Sequence, residues 1–330
     1  MHDGKMLYAL TQHSAYNRKY HPFLLCKCGP GDGVRDPSHV CLLIKHDKQV
    51  ERFERSKTKW THFAKTYEQK VPPQKYTESD HRNWADTMNY GITHYGVHPS
   101  ELRRDNIRFD VFHLRCAETR KLMTFLRKFV RCQSYDFQDK FHSLLHSFWN
   151  QYQLLIWRLN KSFTSFQGVE LLGFIKNIPS IIELLKSSFT ANHINVYDIC
   201  EGLRLWHKIT PFLVITSISN TEEYLHSMDR FEDNLKSFYA VGAKTFFTKN
   251  TVGDEENFYS HCLRYYLPVI ARETFSVHGV GLGVFTMQGF ERRNKESKNT
   301  FRRFNNGKGN ILLQNIRRLS GVFENNANNY

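Results

Sequence analysis

Helical periodicity is the strongest pattern in this chain, and it dominates the middle of the sequence. Between about residues 139 and 277, apolar positions recur at three- and four-residue steps, which is typical of amphipathic helices sharing a core. The clearest run consists of Phe141, Leu144, Leu145, Phe148, Tyr152, Leu155, Ile156 and Leu159. Pro179 and Pro211 are the expected breaks, because proline interrupts helical hydrogen bonding. We predict an all-helical insertion over residues 139–277.

Strand-like patterns lie on both sides of this block. "KMLYALTQ" and "HVCLLIKH" are rich in strand-compatible residues, and a turn-forming loop separates them. "DNIRFDVFH" predicts a brief strand ending at Asp110, followed by an amphipathic helix, and "GVGLGVFTM" predicts strand character again before a basic helix. The pattern predicts an α/β fold in three parts: 1–138, the helical insertion 139–277, and 278–330.

Charge narrows the class of partner. The 330 residues carry a net charge of +14 and have a pI near 9.4, which favours a polyanionic partner. No apolar run approaches the roughly 18 residues of a transmembrane helix, and the first residues lack a secretory signal pattern. We therefore expect an intracellular protein that binds nucleic acid, and no membrane.

Three of the seven cysteines crowd together with histidines near the N-terminus. The candidate ligands within residues 26–46 are Cys26, Cys28, His39, Cys41 and His46. Tetrahedral zinc sites commonly join two close pairs of such residues through a flexible loop, and glycines occupy the intervening stretch. We predict a structural Zn²⁺ held by the three cysteines and one of the two histidines. The alternative is that Cys26 lies in an apolar strand and His39 in a solvated loop.

Two acidic positions are candidates for a divalent metal. Asp110 and His113 stand at the predicted strand–helix junction, and Glu291 opens the basic helix. A phosphate-binding track is predicted after Glu291, formed by Arg292, Arg293, Lys295, Arg302 and Arg303. The alternatives are that Asp110 is a helix N-cap and that Glu291 interacts with a helix dipole.

Several of these segments resemble parts of eukaryotic cut-and-paste DNA transposases of the DDE/RNase H-like class. "GLGVFTMQGFERRNK" is similar to the third-carboxylate segment of the V(D)J recombinase catalytic subunit and its Transib-type relatives, with Glu291, Asn294 and Lys295 at the matching positions. "DVFHLRC" is similar to the Asp-x-x-His element that precedes their helical insertion. "GITHYGVHPSELRRDNIRFDVFHLRCAETRKL" and the cysteine–histidine region resemble the CACTA-type group.

The resemblance implies an RNase H-like core sheet interrupted by a helical insertion domain. It implies DNA strand cleavage and transfer in the nucleus by two Mg²⁺ ions, held by Asp110, Glu291 and a third acid, with His113 supporting the geometry. The first carboxylate is not assigned, and in some relatives the second ligand would correspond to Asp105 or Asp86. The resemblance leaves open whether the chain forms a homo-oligomer and whether it is a fragment of a longer protein. The alternatives are a catalytically inactive, domesticated zinc- and DNA-binding module, or an anionic-lipid or RNA-binding scaffold.

Overall fold

The computed structural model describes residues 26, 41, 109–159, 161–163, 166, 168–189, 194–246 and 258–286. The chain divides into two compact units, Met1–Phe285 and Thr286–Tyr330, and every described residue except Thr286 belongs to the first. Its helices are α1 (Val111–Arg131), α2 (Tyr135–His146), α3 (Gln151–Arg158), α4 (Gly168–Lys176), α5 (Ile178–Ser188), α6 (Ile194–Ile209), α7 (Thr221–Gly242), α8 (Phe258–His261) and α9 (Leu267–His278). Short 3₁₀ turns occupy Phe212–Val214 and Leu282–Val284, and a π-helical turn occupies Cys262–Tyr266.

Local capping signals set several of these helix ends. The Asp110 carboxylate accepts a hydrogen bond from the Phe112 N–H at 3.0 Å and so begins α1. Asn150 and Gln153 form a reciprocal capping box at the start of α3. Helix α9 ends at Gly279, whose φ of 65° is the left-handed conformation that glycine adopts without a steric cost.

Aromatic side chains fill much of the core between the helices. The Trp157 ring stacks on Phe141 with their centroids 5.5 Å apart, which joins α2 to α3. Helix α6 packs against α5 and α7. Its buried Trp206 donates a hydrogen bond of 3.1 Å to the Thr119 hydroxyl, which links α6 to α1. None of the described helices combines the length and apolar character needed to cross a membrane.

The prediction of an RNase H-like core sheet is wrong for the described residues. They are 78% helical and contain no strand, and only Cys26 and Phe109 occupy isolated β-bridge positions. Of the strand predicted to end at Asp110, the described residues are Phe109, which is an isolated bridge residue, and Asp110, whose side chain caps α1. Val and Phe fit a pleated sheet only where partner strands exist, so their propensity alone did not decide the fold.

The segment "GVGLGVFTM", also predicted to have strand character, is a compact turn as far as Thr286, its last described residue. The Gly281 N–H donates to the Thr216 carbonyl at 3.2 Å, and the Gly283 N–H donates to the Ile215 carbonyl at 2.7 Å. A Cβ atom on Gly281 would lie 2.4 Å from the Ile215 carbonyl oxygen. Glycine is required here because the two backbones approach so closely.

Candidate metal centre

His261 stands where helix α8 passes into the π-helical turn Cys262–Tyr266. The Leu267 N–H donates to the Cys262 carbonyl, which is the i→i+5 bond of a π turn. Pro268 follows in the first turn of α9, and proline has no N–H to give to the carbonyl four residues earlier. The missing donor accounts for the change in helical register.

The π turn brings two side chains five residues apart to the same sulfur atom. The His261 Nε2 lies 3.3 Å from the Cys26 Sγ, and the Tyr266 hydroxyl lies 3.1 Å from it. In an α-helix, residues five apart point about 140° away from each other. The altered register therefore creates one face on which His261 and Tyr266 both contact Cys26.

Cys41 completes a group of three potential metal ligands. Its Sγ lies 3.5 Å from the His261 Nε2, and the ligand atoms of Cys26, Cys41 and His261 all lie within 4.8 Å of one another. Cys26 and His261 are fully buried, and Cys41 is half-buried. This Cys₂His group could hold a metal ion.

The spacing of these atoms agrees with tetrahedral zinc. A tetrahedron with Zn–S bonds of about 2.3 Å and Zn–N bonds of about 2.0 Å separates sulfur from nitrogen by about 3.5 Å. The two sulfur-to-nitrogen distances in the group are 3.3 and 3.5 Å. Thiolate and imidazole ligands also favour Zn²⁺ over Mg²⁺, which prefers oxygen.

Tyr266 supplies a hydrogen bond beside these ligands. Burial, and then the nearby Cys26, raises the pKa of the Tyr266 phenol well above its ordinary value. The phenol therefore stays protonated and donates to the Cys26 sulfur. Its ring stacks on Phe109 at 5.7 Å and meets the His261 imidazole edge-on at 5.1 Å.

A buried polar network fixes the residue that precedes His261. The Ser260 hydroxyl donates to the Glu118 carboxylate at 2.8 Å, and Lys121 donates to the same hydroxyl. The Tyr239 hydroxyl donates to the Ser260 carbonyl at 3.1 Å. Because these partners lie on α1 and α7, two helices hold the backbone next to the histidine.

The sequence predicted part of this group. Cys26 and Cys41 are brought together, whereas the other candidate ligands lie outside the described residues: Cys28, His39 and His46. His261 was missed. It is 220 residues from Cys41 in sequence and sits within a helical stretch, so no local spacing pattern marks it as a ligand.

The predicted acidic site is described only at Asp110 and His113. The buried Asp110 carboxylate accepts the Phe112 N–H on one oxygen and contacts the His113 Nδ1 with the other. The imidazole is partly exposed, at 27%. The remaining predicted residues lie outside the described part of the chain: Glu291, Arg292, Arg293, Lys295, Arg302 and Arg303. A shared site of Asp110 and Glu291 stays a prediction.

The comparisons with known proteins provide no family from which a role for the Cys₂His group could be inferred. No protein-family model matches the sequence, and no curated protein matches it either.

Proposed function

We propose that this chain is a zinc-stabilised DNA-binding module. The observation that carries the proposal is the Cys₂His group of Cys26, Cys41 and His261. Zn²⁺ bound there would be structural, because the two fully buried ligands leave little room for a substrate. The ion would connect the N-terminal segment to helix α8 across more than 200 residues of sequence.

The fourth zinc ligand is proposed from the sequence. Structural zinc sites are almost always four-coordinate, and the described residues supply three ligands. Cys28, His39 and His46 are the candidates for the fourth position, since all three are close in sequence to Cys26 or Cys41. A thiolate or an imidazole would each complete a common zinc ligand set.

DNA is proposed as the partner because of the charge of the chain. The net charge is +14, yet acidic and basic side chains are close to balance within the described residues. Most of the positive excess therefore belongs to the remaining segments, including the run from Arg292 to Arg303. A module that binds DNA through such a segment would act in the nucleus.

The second candidate function is Mg²⁺-dependent phosphoryl transfer on DNA by Asp110, Glu291 and a further acid, as the transposase resemblance implies. The contact between the buried Asp110 carboxylate and the partly exposed His113 imidazole is the observation that favours it. The binding module is preferred, because the described residues form no second cluster of three or more ligand side chains around Asp110.

Metal and DNA binding by the full chain test the proposal. Metal analysis should give about one zinc per chain, and duplex DNA should bind with a strong dependence on salt. The double variant Arg292→Gln/Arg293→Gln should reduce the slope of log affinity against log salt by about two. Lys236→Gln/Lys244→Gln, on and just after α7, is the matched control.

Three results would count against these proposals. A metal-free protein that is as stable as the zinc-loaded protein would contradict the proposed zinc centre. DNA binding that does not depend on salt would contradict the proposed DNA-binding module. Nicking of plasmid DNA with Mg²⁺ that Glu291→Gln abolishes would replace the module with the enzyme.

A further inference from the structure

A second basic surface lies where the end of α1 meets α2 and α3. The Arg131 guanidinium donates to the Arg158 carbonyl, so the last residues of α1 and α3 are adjacent. Both arginine side chains are exposed. No ion pair between described residues involves either of them, so their charges face solvent without a carboxylate contact there.

The pKa values of two neighbouring groups are lowered in part by this positive charge. Burial, and then Arg158, lowers the pKa of His142 on α2, with a smaller contribution from Arg131. Asp139 acts in the opposite direction on that histidine. Burial, and then Arg131, lowers the pKa of Arg127 to about 10. One acid therefore stands beside several bases, and the surface is electrostatically suited to an anion.

A concave, partly apolar surface includes Arg158, whose carbonyl accepts the hydrogen bond from Arg131. It is lined by His146, Gln151, Tyr152, Leu154, Leu155 and Arg158. Tyr152 is 60% exposed and Leu155 is 51% exposed, although both are large apolar side chains. Exposed aromatic and apolar groups beside unpaired arginines are the combination that binds an unstacked base together with its phosphate.

We infer that this Arg131–Arg158 groove binds single-stranded nucleic acid, with phosphates on the two arginines and a base stacked on Tyr152. The inference rests on the proposed DNA-binding function and adds a second surface to it. A single strand is favoured over a duplex because base faces in a duplex are already stacked and cannot reach the tyrosine ring. Nucleic acid is favoured over a protein partner because its phosphates and base faces together match arginines that stand beside an exposed aromatic ring.

The test is binding of a labelled oligothymidylate of about 15 nucleotides to the full zinc-loaded chain, measured by fluorescence anisotropy. Tyr152→Leu retains apolar area but removes the aromatic ring, and it should weaken binding about 10-fold. Arg158→Gln should weaken binding and lower the salt slope by about one. Tyr197→Leu is the control, since Tyr197 is 72% exposed on α6 and does not line the groove.

The outcomes separate this inference from the proposed function. If Tyr152→Leu and Arg158→Gln bind the oligonucleotide as the wild type does, while Arg292→Gln/Arg293→Gln binds poorly, the groove is overturned and the DNA-binding module stands. If the wild type binds neither single-stranded nor duplex DNA, both fall. If Leu155→Glu lowers the sedimentation mass while Tyr152→Leu leaves binding unchanged, the groove is a self-association surface and the inference is overturned.

Discussion

His261 contacts two cysteines from a distant part of the chain, and a metal ion bound by all three would cross-link the two segments. Stability would then depend on zinc. We predict that a chelator lowers the free energy of unfolding of the wild-type protein but not that of His261→Ala. The substitution also removes a fully buried ring and destabilises the protein by itself. The effect of the chelator must therefore be measured within each variant, so that the cost of the cavity cancels.

The expected magnitude follows from the length of chain that the metal closes. Cys41 and His261 are 220 residues apart. The chain-entropy relation for a cross-link of that span gives about 5 kcal/mol, treating the metal as a rigid bond. Zinc that also binds cysteines and histidines of the unfolded chain lowers the difference. A loss of about 2 to 5 kcal/mol on chelation is expected for the wild type.

Urea unfolding followed by tryptophan fluorescence is the assay, because Trp157 and Trp206 are both fully buried. Each variant is unfolded with zinc and with a chelator, under a reductant that does not bind metal. His226→Ala, an exposed histidine of α7, should respond as the wild type does. A wild type that ignores the chelator, or a His261→Ala protein that responds fully to it, would refute the assigned ligand set.

Three further results are expected. Tyr266→Phe should weaken zinc binding about 10-fold and shift the sulfur-to-metal charge-transfer band of the Co²⁺ form, because the variant lacks the hydroxyl that donates to the Cys26 sulfur. Tyr224→Phe is the control and should change neither measurement, since the buried Tyr224 hydroxyl has no hydrogen-bond partner within the described part of the chain. Gly281→Ala should lower the free energy of unfolding by about 1 to 3 kcal/mol in urea titrations, since its Cβ would meet a carbonyl oxygen at 2.4 Å. Iodoacetamide at pH 9 should label the exposed Cys132 well before Cys200, because burial raises the Cys200 pKa to about 11 and keeps that thiol protonated; equal rates, followed by mass spectrometry, would contradict this.

The helices could be predicted from the sequence because their signals are local. The apolar stripe of α1, through Leu122 and Leu126, is buried as the three- and four-residue spacing indicates. The hydrogen bond that the Asp110 carboxylate accepts from the Phe112 N–H confirms the alternative interpretation of Asp110 as an N-cap. A cap needs only the residue and the helix that follows it, so the sequence contains all the required information.

The sheet was predicted from signals that are not local. Whether Phe109 or Val284 lies in a strand depends on which segment offers hydrogen-bonding partners, and short apolar runs do not contain that information. Val284 ends a 3₁₀ turn whose preceding glycines bond to carbonyls near Ile215. The resemblance to a sheet-containing enzyme supplied the expected partners, and the described residues do not contain them.

The metal centre could be predicted from the sequence only in part. Local spacing was enough to single out Cys26 and Cys41, but a third ligand contributed by a distant helix becomes visible only after the chain has folded. One sequence signal did bear on it. Pro268 cannot donate a backbone hydrogen bond, so the sequence indicates an interruption of the helical hydrogen bonding near residues 262–268. Register changes of this kind are frequent at functional sites, and this one turns His261 and Tyr266 toward the same sulfur atom.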